Sequence, residues 1–128
     1  MTGNVPRLRV LVVEDELLIR WAIAETLSDA GHVVIEAADA ATAVRALTNS
    51  VEAIDVVVLD YRLPDSRDLA LLAAVRRLSP RSAVILMTAS GSPALTQGAL
   101  DLGASQVMHK PFDLHDLESR LLQAVGSR

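Results

Sequence analysis

The chain has 128 residues, the length of one domain, and its 51% apolar and 22% charged residues make a globular composition rather than a disordered one. Cysteine is absent, which excludes disulfides, thiolate metal sites and thiol nucleophiles. A net charge of −4, with Trp21, Tyr61 and Phe112 as the whole aromatic content, opposes nucleic-acid binding through either a basic surface or base stacking.

The first nine residues have no apolar core behind their charges, so no secretory signal is visible and a cytoplasmic chain is expected. The first predicted strand, 8–13, runs into Glu14-Asp15. A helix over 16–30 follows, with Ile19, Ala22, Ile23 and Leu27 as its core stripe and Gly31 placed to end it. Leu18 and Trp21 fall off that stripe with Glu25, as incidental surface or as a docking patch. Strand 33–37 leads to Asp39, the expected N-cap of a helix over 40–50. Strand 55–59 ends at Asp60 and is followed by Leu63-Pro64 rather than directly by a helix.

The third helix is expected over 68–78, where Arg76, Arg77 and Arg81 complement the dipole at its C-terminal end. Residues 69–75 are the longest apolar run, far short of the ~20 residues of a membrane span. Strand 83–88 ends in Thr88, and a helix over 93–102 follows, with Gly98 inside it and Leu95, Leu100 and Leu102 as its expected anchors. Strand 106–109 runs into Lys110-Pro111, and Asp113 is placed to cap a last helix over 114–125. One α/β domain is therefore expected over 7–126, a doubly wound parallel sheet of five strands, with flexible tails at 1–6 and 127–128.

In open α/β sheets ligands bind outside the carboxyl ends of the strands. Here those ends carry Glu14, Asp15, Asp60, Thr88 and Lys110, the sole lysine among twelve cationic side chains. Acidic residues after strands are often turn formers or helix caps, which accounts for Asp15 and can extend to Asp60, but not for Leu63-Pro64 following Asp60 in place of a helix. Three carboxylates against one ammonium leave a net charge of −2, which a divalent cation would neutralise. An all-oxygen donor set favours Mg²⁺, and a carboxylate beside that ion and a lysine is suited to accept a phosphoryl group.

These residues form a pattern. Glu14-Asp15, Asp60 with Leu63-Pro64, Thr88-Ala89 and Lys110-Pro111-Phe112 together resemble the receiver domain of bacterial two-component response regulators, over nearly the whole chain. The resemblance implies a flavodoxin-like sheet of order 2-1-3-4-5 and a phosphoryl group donated to Asp60 by a sensor histidine kinase or a histidine phosphotransfer protein. It implies that Asp15, Glu14, Asp60 and the Arg62 carbonyl hold Mg²⁺, and that Thr88, the Ala89 N–H and Lys110 receive phosphoryl oxygens. A cis Lys110–Pro111 bond is expected on the same ground. Leu18 and Trp21 are the candidate contacts to the donor, and a monomer or weak dimer is expected, with no nucleic-acid or membrane partner.

Two positions depart from the family pattern: Val107 replaces the usual aromatic, and Asp68 stands where Gly is usual, a position that favours positive φ. Val107 directs attention to the fourth helix as the element that reports phosphorylation. Other readings are an Mg²⁺-dependent aspartyl phosphatase, which would need an acid/base where Arg62 stands, and an FMN carrier, whose phosphate Glu14-Asp15-Glu16 would repel. A pseudo-receiver that only binds proteins is opposed by the intact Asp60, Thr88 and Lys110. Among the histidines, His32 lies outside the helices, His109 reads as a strand-end packing residue, and His115 as a solvated helix residue rather than a relay site.

Overall fold

A computed structural model describes residues 6–127. Five strands, β1 (Arg9–Val13), β2 (Val33–Ala37), β3 (Val56–Asp60), β4 (Ala83–Thr88) and β5 (Gln106–His109), form one parallel sheet in the order β2-β1-β3-β4-β5. The helices are α1 (Leu17–Asp29), α2 (Ala40–Asn49), α3 (Ala70–Leu78), α4 (Pro93–Asp101) and α5 (Leu117–Gly126), the last preceded by a 3₁₀ turn at Leu114–Asp116.

Alternation along the strands divides the core between two faces of the sheet. Leu11, Val13, Val57, Leu59, Val84 and Leu86 pack with Ala43 of α2, Leu72 and Val75 of α3 and Ala99 of α4. Val10, Val12, Val56, Val58, Ile85 and Met87 pack with Ile23 and Leu27 of α1 and Leu117 and Leu121 of α5. Both faces are covered, so β3 and β4 read as unbroken apolar runs while the edge strands β2 and β5 are only half-buried. Each fully buried Leu, Ile or Val contributes roughly 1.5–3 kcal/mol of transfer free energy, which makes these faces the main stabilising element.

Local signals place the helix ends. Gly31 adopts φ 95°, and the N–H groups of Gly31 and His32 bond to the carbonyls of Ser28 and Leu27, closing α1 in a Schellman motif. Asp39 accepts from the Thr42 N–H as the N-cap of α2, and hydrogen bonding from the Thr42 side chain first, then from that N–H, holds its carboxyl below the usual carboxylate range. Asp113 caps the 3₁₀ turn through the His115 N–H rather than α5 itself. The third helix starts at Ala70, not at residue 68, because Asp68 takes a left-handed φ of 52°.

Three other expectations are corrected. Leu100 and Leu102 do not anchor α4: they are 41% and 43% exposed, and Ala99 is its one buried side chain. His109 ends β5 exposed rather than packed. Ala24, outside the expected α1 stripe, is buried beside Ile23 and Leu27. His115 is solvated as expected, and His32 is buried, its Nδ1 accepting from the Leu8 N–H and its Nε2 2.7 Å from Glu118. Because Nδ1 is an acceptor, the Nε2–H tautomer donates to the Glu118 carboxylate and ties α5 to the foot of the sheet. Of the expected tails, residues 1–5 and 128 lie outside the described residues, while the Ser127 N–H continues the last turn of α5.

Candidate functional site

The chain leaves β1 for β2 on one side and returns to β3 on the other, so the carboxyl ends of β1 and β3 form the switch point of the sheet. Glu14 follows β1, and its N–H bonds to the Ala37 carbonyl; Asp60 is the last residue of β3. The Lys110 N–H bonds to the Thr88 carbonyl at 2.8 Å, which aligns the end of β5 with that of β4. The Lys110–Pro111 peptide is cis.

The side chains converge as the strand ends require. Carboxylate oxygens of Glu14, Asp15 and Asp60 lie within 4.8 Å of one another, Glu14 and Asp60 buried and Asp15 exposed. The Lys110 Nζ sits 2.6 Å from Glu14 Oε1 and 3.2 Å from Asp60 Oδ1. Burial lowers the Lys110 pKa, but the Glu14 hydrogen bond and the charges of Asp60 and Glu14 outweigh it and hold the ammonium above the usual lysine value. The second Glu14 oxygen accepts from the Glu16 N–H, so this buried carboxylate is partnered on both sides. Thr88 is buried at the adjacent strand end, and Ala89 and Arg62 are exposed in the loops that follow β4 and β3. The donor set fits a hard divalent cation: close carboxylates, one of them open to solvent, with a single ammonium that leaves the cluster at −2.

Two supporting residues were not legible in the sequence. The Arg20 guanidinium donates to the Glu14 carbonyl and to Glu36, fixing the acidic loop against β2. Asp65 accepts from the Ala40 and Ala41 N–H groups, clamping the loop after Asp60 to the α2 N-terminus. The Arg20–Glu36 and Asp65–α2 contacts join residues far apart in sequence, and no spacing rule marks them or the Arg20 bond to the Glu14 carbonyl.

Removing the exposed carboxylate of the cluster relieves repulsion. Asp15→Ala is expected to raise stability by about 1 kcal/mol without added metal and to remove Mg²⁺ binding, as read by thermal melts and titration calorimetry. Retained Mg²⁺ affinity would exclude Asp15 as a ligand.

An apolar groove of about 470 Å³ adjoins the cluster, lined by Leu18, Ile19, Ile23, Ala89, Lys110 and Phe112. A larger cavity of about 920 Å³ lies at the opposite edge of the sheet, by Arg76, Arg81 and Ser82. Size does not locate the chemistry here, because the carboxylate cluster and the lysine are at the other end of the strands.

Residues 10–122 match the family model of the response regulator receiver domain, and the chain belongs to that family. Receiver domains are phosphoacceptor signalling modules of two-component systems and typically use Mg²⁺. The transcriptional regulatory protein TcrA of Mycobacterium tuberculosis is 37% identical over 119 residues, covering 93% of this chain and 46% of TcrA, so the chain spans under half the length of that relative. A CheY-like receiver domain from Methanospirillum hungatei superposes with a TM-score of 0.87 at 25% identity, covering 95% of this chain and 96% of that one. Chemotaxis protein CheY4 of Vibrio cholerae gives 0.84 at 28% identity, covering 93% and 99%. Among the described residues, no helix is long and apolar enough to cross a membrane.

Proposed function

We propose that the chain, with 7–126 as its signalling unit, accepts a phosphoryl group on Asp60 from a phosphohistidine of a sensor histidine kinase or histidine phosphotransfer protein in the cytoplasm. The phosphorylated domain then acts through protein interaction or passes the group on, as a monomer or weak dimer. The observation that carries this reading is the Lys110 ammonium seated between buried Glu14 and buried Asp60.

In the transfer an Asp60 oxygen attacks phosphorus, the P–N bond to the donor imidazole breaks, and its electron pair stays on the imidazole nitrogen. Asp15, Asp60, the Arg62 carbonyl and Glu14, the last through water, would hold Mg²⁺, which when bound offsets the negative charge of the phosphoryl oxygens. The Lys110 ammonium, the Thr88 hydroxyl and the Ala89 N–H each supply a donor to those oxygens. Slow self-catalysed hydrolysis of the acyl phosphate returns Asp60 to its free state.

The donor protein is proposed to dock on α1, where Leu18 and Trp21 are 73% and 57% exposed and Leu18 lines the groove beside Lys110. Two donors test the reading together. Acetyl phosphate with Mg²⁺ is expected to add one acid-stable, base-labile phosphoryl group by intact mass, and a chelator to prevent it. Trp21→Ala is expected to slow transfer from a phosphorylated histidine phosphotransfer protein by roughly tenfold or more, while labelling by acetyl phosphate is unchanged. Failure of acetyl phosphate to label the wild-type chain would defeat the phosphoacceptor reading, and equal loss from both donors would make Trp21 a packing residue.

A further inference from the structure

The strand β2 ends without a residue of the candidate site, yet both loops assigned to the metal are hydrogen-bonded to the turn that follows it. On one side the Glu14 N–H donates to the Ala37 carbonyl at 3.0 Å. There Arg20 also donates from Nη1 to the Glu14 carbonyl at 2.9 Å and from Nε to Glu36 at 3.1 Å. On the other side Asp65 accepts from the Ala40 N–H at 2.7 Å through Oδ1 and from the Ala41 N–H at 3.0 Å through Oδ2. Residues 36–41 thus hold the loop that bears Glu14 and Asp15 and also the loop that bears Arg62.

Neither tie is needed to form the elements it joins. The helix α2 already has its N-cap in Asp39, so Asp65 adds a tie across two loops rather than a start signal. Arg20 directs its guanidinium to a main-chain carbonyl and to β2, not to the carboxylates of the cluster. Asp60 is fixed at the end of β3 and buried, whereas Asp15, Arg62 and Asp65 lie exposed on loops.

We infer that the β2–α2 turn is an outer frame for the metal site, with Arg20 and Asp65 as the positioning residues that set its Mg²⁺ affinity. The inference rests on the assignment of Mg²⁺ to Asp15, Asp60, Glu14 and the Arg62 carbonyl given above. Neither Arg20 nor Asp65 touches the ion in this scheme. Mg²⁺ demands near-octahedral placement of its oxygens, so ligands on free loops must be ordered when it binds, while tied loops are ordered in advance. Loss of a partner that orients a metal ligand typically weakens binding by roughly 10–100-fold.

Titration calorimetry of Mg²⁺ with the whole chain, at one ionic strength, tests it. Arg20→Met removes a cation beside an acidic cluster, so charge alone would tighten Mg²⁺ binding. The frame predicts the opposite sign, a dissociation constant raised roughly tenfold. Asp65→Ala is expected to weaken binding by a similar factor and decides the matter if Arg20→Met does not fold. Asp65→Asn loses the same charge but keeps one acceptor oxygen, and its affinity is expected to lie between wild type and Asp65→Ala. Glu118→Ala breaks the contact with His32 at the foot of the sheet and is expected to leave Mg²⁺ affinity unchanged, which separates framing from general loss of stability. Wild-type or tighter binding in folded Arg20→Met, wild-type binding in folded Asp65→Ala, or equal weakening in Asp65→Asn and Asp65→Ala overturns the frame and leaves the metal assignment standing. Equal weakening in Glu118→Ala does the same. No Mg²⁺ binding by the wild-type chain overturns both.

Discussion

Asp60→Asn is expected to abolish phosphoryl uptake, from acetyl phosphate and from a phosphohistidine donor alike, with the fold intact. An amide oxygen carries no negative charge and is a poor nucleophile toward phosphorus, so the loss is complete rather than partial. The substitution keeps the shape of the side chain and removes one negative charge from a cluster whose carboxylates lie within 4.8 Å of one another. Stability is therefore expected to hold or to rise by about 1 kcal/mol, which separates lost chemistry from lost folding. Intact mass and a thermal melt on the same sample check both parts. A variant labelled to the wild-type level would move the acceptor to Glu14 or Asp15.

The second large effect falls on Lys110. Lys110→Ala leaves the Glu14 carboxylate, 1% exposed, without the ammonium that now sits 2.6 Å away, and it unmasks repulsion with Asp60. Breaking one side of a buried ion pair in this way is expected to cost about 3 kcal/mol in urea melts at neutral pH. The double variant Glu14→Gln with Lys110→Ala is expected to recover much of that loss, because no unpaired charge stays buried. Lys110→Arg keeps the charge, but a planar fork does not replace a compact ammonium between two carboxylates, and phosphoryl uptake should fall sharply. The pH dependence has a definite sign. Glu14 and Asp60 hold the folded pKa of Lys110 above its ordinary 10.5 despite burial, so its stabilising contribution is fully present below about that pH. It is lost as the pH rises through the folded value, and the gap between wild type and Lys110→Ala should narrow there. A gap that widens with alkalinity would contradict the ion pairing.

Most of the architecture was legible because each element carries its own short-range signal. The runs Val10–Val13 and Val56–Leu59 read as covered strands, and Gly31 and Asp39 mark helix ends through backbone chemistry confined to a few neighbours. The errors fell where a long-range contact outweighed the local pattern. Leu100 and Leu102 look like anchors because they are bulky side chains in a segment with few others, yet the face of α4 that meets the sheet is the one bearing Ala99. His109 is the last residue of β5, an edge strand among the described residues, and its side chain is exposed.

The same division holds at the site. Glu14, Asp15, Asp60, Thr88 and Lys110 were identifiable from the sequence because strand ends are predictable and a parallel sheet gathers them at one edge. Their types alone pointed to a hard-cation, phosphoryl-oxygen chemistry. Only the tertiary structure decided who pairs with whom: Lys110 with Glu14 as well as Asp60, Arg20 with the Glu14 carbonyl, Asp65 with the N-terminus of α2, and the Thr88 hydroxyl with the Ser90 N–H. The physical reason is that residue type and spacing determine which groups reach the edge of the sheet. Which donor meets which acceptor depends instead on ångström-scale placement of loops that no local periodicity controls.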